Sequence, residues 1–367
     1  MIRKKIAYLS LVAALLLLPS CSLFEEVRQE KAQAEEYNKQ ILEEIKSAHT
    51  PQEKIKNLED IIAQIEATIP SKKFKTTPLN ACSLYISEAY LNMNEIDKSI
   101  EMSNLILEAD KDIARAYFLR GYAYQLKGDN KQALANYTAT IQKDRTFVPA
   151  FESRAFMHIQ NEEYNDAISD YAAIEKLLPE DEKNYINLST AYIKTEKYNE
   201  AIKYADKALK INPLNVYAYY NRGYAYNEKD NSKQAIEDYN KALNIAPNYI
   251  DAYNALGILY TRKGDYDLAL ENFNKIIAID SSLTFVYHNI GLIYKNKEDF
   301  DKANKYFEKA IQTDSTYAPA YIESGDIHVR WGKKEKAKEL YKKAIEVNND
   351  KDEAISKTAS EKIEQLR

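Results

Sequence analysis

Glycine is scarce in this chain, 8 of 367 residues, or about 2% where ordinary usage is 7%. Nucleotide-cradling loops and tight-turn β folds need glycine wherever the backbone takes positive φ or closes on a ligand, and this chain has little of it. Two cysteines and four histidines leave little material for thiol chemistry or for a metal centre built from sulfur and imidazole. No basic run stands out, and the formal net charge is −5. An acidic chain does not attract phosphate backbones, so nucleic acid is not an expected partner. Tyrosine is the excess, with 30 residues. The composition is that of a helical, tyrosine-rich, non-catalytic protein for which no cofactor is expected.

Residues 1–20 read as a secretory leader. Arg3, Lys4 and Lys5 precede an apolar run from Ile6 to Leu18 that is too short for a transmembrane helix of ~20 residues. The run ends in Leu18-Pro19-Ser20-Cys21. This resembles the lipobox of bacterial lipoproteins, with Leu three before and a small residue one before the cysteine, although Pro19 departs from the usual pattern. The resemblance implies cleavage before Cys21 and lipidation of that residue. Ser22 in the next position implies sorting to the outer membrane, facing the periplasm or displayed at the surface. With Cys21 lipidated, Cys82 has no intramolecular partner and reads as a small buried residue.

The rest of the chain has a 34-residue period. Ser87, Gly121, Ala155, Ser189, Gly223, Gly257, Gly291 and Gly325 form a column of small residues. Three positions on stand Tyr90, Tyr124, His158, Tyr192, Tyr226, Tyr260, Tyr294 and His328. Twelve positions on stand Ser99, Ala133, Ala167, Ala201, Ala235, Ala269, Ala303 and Ala337. No insertion breaks this register over eight units. Phrases such as Arg222-Gly-Tyr-Ala-Tyr226 and Ala235-Ile-Glu-Asp-Tyr239, with Ala242 and Pro247, resemble the tetratricopeptide repeat, or TPR. The implied fold is an all-α TPR superhelical solenoid of helix-turn-helix repeats, in which neighbours bury the faces that no repeat buries alone. Gly128, Gly264 and Gly332 share the turn column between the two helices of a repeat. The expected organisation is a leader at 1–20, then a lipidated cysteine, helical hairpin and basic linker (Pro70 to Pro78) at 21–79. Eight repeats follow at 80–351, and a capping helix at 352–367.

Arg120, Arg154 and Arg222 precede the small-residue column, and Asn136, Asp170 and Asp238 stand sixteen residues later. The two columns change together, which predicts pairs between the helices of one repeat rather than a row of ligand-binding arginines. His158 and His328 occupy the tyrosine column and read as packing residues. Acidic turns such as Glu162-Glu163 read as solvated charge. No motif for nucleophilic, metal or phosphoryl chemistry is present, so the chain is not expected to be an enzyme.

In TPR proteins the first helix of each repeat lines a concave groove that holds peptide segments. The resemblance implies groove positions six and three before, and one, four and five after, the small residue. These are Arg115, Phe118, Tyr122, Gln125 and Leu126, then Phe156 and Ile159, then Ile186 and Lys194. They continue with Tyr217, Tyr220, Tyr224, Asn227 and Glu228, then Asp251, Asn254, Thr261 and Arg262, and finally Phe285, His288 and Lys295. The lysine–asparagine clamp that holds a terminal carboxylate in chaperone-binding TPR domains is not visible in these columns. The function implied is a membrane-anchored adaptor binding protein or peptide partners in cell-envelope assembly or maintenance. The alternative is a surface glycan-binding lipoprotein, with Tyr217, Tyr220 and Tyr224 stacking on sugar rings.

Overall fold

The structure, a computed structural model, describes residues 25–47, 49–349 and 352–366. The leader, the lipobox and Cys21 lie outside the described residues. All regular structure among these residues is helical. Helix α1 covers 25–46 and α2 Pro51–Thr68. Thr50 and Glu53 form a reciprocal capping box with Pro51 in the first helical position, which satisfies the backbone donors exposed at that end.

Eight helix pairs follow. They are α3 and α4 (Lys72–Asn92, Ile96–Ala109), α5 and α6 (Ala114–Lys127, Asn130–Lys143), and α7 and α8 (Val148–Gln160, Tyr164–Leu177). Next come α9 and α10 (Glu182–Lys194, Tyr198–Ile211), α11 and α12 (Val216–Glu228, Ser232–Ile245), and α13 and α14 (Ile250–Lys263, Tyr266–Ile279). The last pairs are α15 and α16 (Thr284–Asn296, Phe300–Thr313) and α17 and α18 (Ala318–Arg330, Lys334–Asn348), before α19 (Glu353–Glu364). The described chain divides after Pro179 into two compact units. The first holds α1 to α8 and the second α9 to α19.

The small-residue column sets how closely the two helices of a repeat approach. A Cβ on Gly257 would lie 2.7 Å from Phe273 Cζ, and one on Gly325 would lie 2.5 Å from Tyr341 Cε1. The residue sixteen positions on is a ring wherever the column holds glycine: Tyr137, Tyr239, Phe273, Phe307 and Tyr341. Where the column holds serine, the partner shrinks to Ser103 or Ala205. Ser87 then fills its space with hydrogen bonds to Ser99 and Ser103, and Ser189 Oγ donates to the Ala201 carbonyl. In these seven repeats the small residue and its partner trade volume, as a close-packed interior favours; the third repeat departs from the trade and sets Ala155 against Tyr171.

Every turn between paired helices passes through one left-handed residue. Gly128, Gly264 and Gly332 take φ of 82°, 80° and 72°. Asn94, Glu162, Glu196, Asp230 and Glu298 hold the same column at 57° to 61°. The glycines mark the column, but the geometry belongs to all eight repeats.

The segment from Pro70 to Pro78, expected as a linker, is corrected from Lys72 onward: α3 begins there and contains Pro78. Proline forfeits one helical hydrogen bond, but Leu79, Cys82 and Ile86 continue an apolar stripe that packs on Ile62, Ile65 and Ile69. Ala34 and Ile41 of α1 are buried in the same cluster, so the hairpin caps the first repeat. Cys82 is fully buried, and burial pushes its thiol up to about 12. At the other end Ala359 and Leu366 pack on Tyr341 and Ala344. Among the described residues no helix is long and apolar enough to cross a membrane.

Candidate functional site

The small-residue face of each first helix is committed to core packing against its own second helix. The structure divides the expected groove positions into three groups.

One group is locked by ring contacts. Phe118 packs on Tyr137 of its own repeat at 5.8 Å between centroids and on Phe147 ahead of the next repeat at 5.1 Å. Tyr220 repeats this geometry with Tyr239 at 5.8 Å and Tyr249 at 5.4 Å. His288 repeats it with Phe307 at 5.7 Å and Tyr317 at 5.5 Å. These three side chains therefore join successive repeats, which sequence columns alone did not reveal. Burial pushes the Tyr220 phenol up to about 12 and holds the His288 imidazole below its usual range. With Tyr220 packed between Tyr239 and Tyr249, Tyr217, Tyr220 and Tyr224 do not present three open ring faces.

A second group is held by polar contacts. Arg115 donates to Glu88 Oε2 at 2.5 Å and lies over the Tyr85 ring. Gln125 Oε1 accepts from the Tyr137 hydroxyl at 2.5 Å, and Thr261 donates to the Gly257 carbonyl. Lys295 pairs with Glu323 at 2.5 Å and Asp326 at 3.7 Å, while Lys362 of the capping helix reaches Asp326 at 2.7 Å. Arg115 and Lys295 thus pair with neighbouring repeats.

The third group is available. In the first unit Tyr122, Leu126 and Phe156 are exposed; Tyr122 and Leu126 are one turn apart on α5, and Phe156 stands in the Tyr122 column on α7. Ile159 of the first unit is half-buried. In the second unit Tyr217 is 59% exposed and Lys194, Glu228, Asp251 and Arg262 are exposed, while Ile186, Tyr224 and Phe285 are half-buried. Asn227 Oδ1, Asn254 Oδ1 and His288 Nε2 are buried and have no hydrogen-bond partner among the described residues.

The arginine column makes the expected pairs. Arg154 meets Asp170 through Nε–Oδ2 at 2.9 Å and Nη2–Oδ1 at 2.6 Å, and Arg120 donates to Asn136 Oδ1 at 2.8 Å. Each arginine also reaches back sixteen residues, to Asn104, Thr138 or Asp206 on the second helix of the preceding repeat. Each lies over the aromatic ring three residues before it, Tyr117, Phe151 or Tyr219. These side chains fasten second helices together and leave no free guanidinium row.

Comparison with known proteins agrees with this architecture. A tetratricopeptide repeat protein from Parabacteroides merdae is 20% identical, with 69% of this chain and 98% of that chain covered at a TM-score of 0.55; it shares the fold. MamA is 29% identical over 45% of this chain and 96% of that chain, at a TM-score of 0.41. YrrB, described as a TPR protein with an unusual peptide-binding site, is 24% identical over 52% and 97%, also at 0.41. No curated protein matches the chain. The repeat architecture is typical of non-catalytic protein-binding scaffolds. Residues 114–142, 183–215, 215–282, 286–317 and 318–351 each match the tetratricopeptide repeat, and the chain belongs to that family.

Proposed function

We propose that this protein is a lipid-anchored adaptor of a bacterial cell envelope that holds segments of other proteins against the first helices of its repeats. The observation that carries the reading is the trio of buried, unpartnered polar atoms on Asn227, Asn254 and His288, which lie on α11, α13 and α15 of successive repeats. An unmet buried polar group costs ~1–3 kcal/mol. That cost disappears when backbone N–H groups of an incoming segment donate to Asn227 Oδ1 and Asn254 Oδ1 and a backbone group of the segment meets His288 Nε2. Exposed Tyr122, Phe156 and Tyr217 add large contact area at small entropy cost. The anchor rests on Leu18-Pro19-Ser20-Cys21, and the outer membrane on Ser22.

The test is crosslinked capture from native membranes with wild type and an Asn227→Leu, Asn254→Leu, His288→Phe variant. These replacements remove the three unpartnered atoms and the exposed hydrogen bond from Asn227 Nδ2 to Glu228, so folding is expected to survive, and proteins captured only by wild type define the adaptor's pathway. Identical captures remove this face from the reading. Radiolabelled fatty acid incorporated by wild type and by Cys21→Ser alike removes the anchor.

A further inference from the structure

The third repeat brings together three side chains of a kind that bind divalent metal. His158 lies near the end of α7, Glu163 immediately precedes α8, and Asp166 lies in the first turn of α8. One ligand atom from each stands within 4.8 Å of the others, and His158 Nδ1 is 2.6 Å from Glu163 Oε2. The 34-residue register supplies seven internal controls. The same positions hold Tyr90, Glu95 and Lys98 in the first repeat, Tyr192, Lys197 and Glu200 in the fourth, and His328, Lys333 and Lys336 in the eighth. Counting imidazole and carboxylate, no other repeat has more than one donor there.

Neither role that acids play elsewhere at this register, capping the helix or pairing with a nearby lysine, is the one Glu163 plays. Of its equivalents, Asp129 and Asp299 cap their helices by accepting from Gln132 N and Lys302 N, while Glu95 and Asp265 make no cap and pair with Lys98 and Lys263 instead. Glu163 makes no such cap; its carboxylate turns to His158 instead. Nor is His158 buried like His328, whose Nδ1 is engaged by the Ser324 carbonyl and whose ring packs edge-on to Trp331. His158 and Asp166 also line an open cavity of about 610 Å³. Arg154, the cation in that lining, is already chelated by Asp170.

We infer that His158, Glu163 and Asp166 form a binding site for a zinc-type divalent ion, with one coordination position left open to the cavity. Metal–ligand bonds of ~2.0–2.2 Å require ligand atoms roughly 3.3 Å apart; rotation of the exposed Glu163 and Asp166 side chains opens the hydrogen-bonded His158–Glu163 pair from 2.6 Å and draws in Asp166 from within 4.8 Å. One imidazole and two carboxylates neutralise the dication. The α8 N-terminus opposes a cation with only about half a positive charge, which two full negative charges outweigh. Three protein ligands leave the fourth tetrahedral position to water or to a donor from a bound partner.

The experiment is calorimetric titration of the chelator-stripped full chain in detergent with zinc chloride. His158→Tyr is the informative variant, because tyrosine is the register's usual residue and preserves repeat packing. Zinc is expected to bind wild type, and the variant is expected to lose one equivalent or at least about 10-fold in affinity at that site, since removing a ligand costs no less than removing an outer-shell partner. Asp166→Asn, on an exposed side chain, is expected to show the same loss and replaces His158→Tyr if that variant fails to fold. Equal stoichiometry and affinity in wild type and variant overturn the site and assign the ion elsewhere, as on His49 and Glu44. No heat of binding at millimolar zinc overturns it outright.

Discussion

Arg222 and Asp238, sixteen residues apart, meet through two parallel hydrogen bonds, Nε to Oδ2 and Nη2 to Oδ1, both 2.7 Å. Asp238 is almost completely buried, and the guanidinium is the partner that a buried carboxylate needs. Arg222→Met leaves that carboxylate unpaired and is expected to cost about 3 kcal/mol. Arg115→Met breaks a half-exposed pair and costs less than about 1 kcal/mol. Urea unfolding of the two variants side by side checks the contrast, and equal midpoints refute it.

Gly257→Ala places a methyl group 2.7 Å from the Phe273 ring. Overpacking of this kind costs about 1–3 kcal/mol. Phe273→Leu in the same chain is expected to recover part of the loss by reopening the space. Thermal melts of the single and double variants read the coupling; additive losses contradict it.

Glu298 holds φ of 59° in the turn before α16, a conformation that costs an L-residue roughly 1–2 kcal/mol. Glu298→Gly removes this strain but adds chain entropy to the unfolded state. The net expectation is a gain of up to about 1 kcal/mol, whereas Gly264→Glu at the same register is expected to lose a similar amount. Denaturant midpoints of both variants decide the sign.

Alkaline pH acts on the buried phenols. Tyr220 and Tyr171 are pushed up to about 12 by burial, above the unfolded value of ~10. The folded state therefore holds its protons longer than the unfolded state. Their contribution to stability is complete below pH ~10 and is lost as pH rises through about 12. Ultraviolet titration is expected to show these tyrosines ionising late and together with loss of helical circular dichroism. A single transition of all tyrosines near pH 10 with helicity retained contradicts this.

The repeat register was legible because three columns recur without insertion, and the Arg154–Asp170 and Arg222–Asp238 pairs were legible because both partners vary together. The backward reach of each arginine was not, since Asn104, Thr138 and Asp206 share no chemistry that marks a column. The groove columns did not reveal that Phe118, Tyr220 and His288 bridge repeats, because one-dimensional register does not say whether a ring lies open or tucks under the next turn. The aromatic residues 29 positions later, Phe147, Tyr249 and Tyr317, were the available signal. Glu163 reads in the sequence as solvent-facing, since nothing in a turn acid announces that it leaves its helix end uncapped.

The match between small residue and ring is settled inside each repeat, and this has a consequence for how such a gene can recombine. A crossover between repeats moves Gly223 with Tyr239, or Ser189 with Ala205, as an intact set. A crossover within a repeat splits them, setting a serine side chain against a tyrosine ring or a glycine against an alanine across a void. Whole 34-residue blocks are therefore the heritable units of this fold, and arrays of this kind lengthen or shorten by repeats rather than by helices.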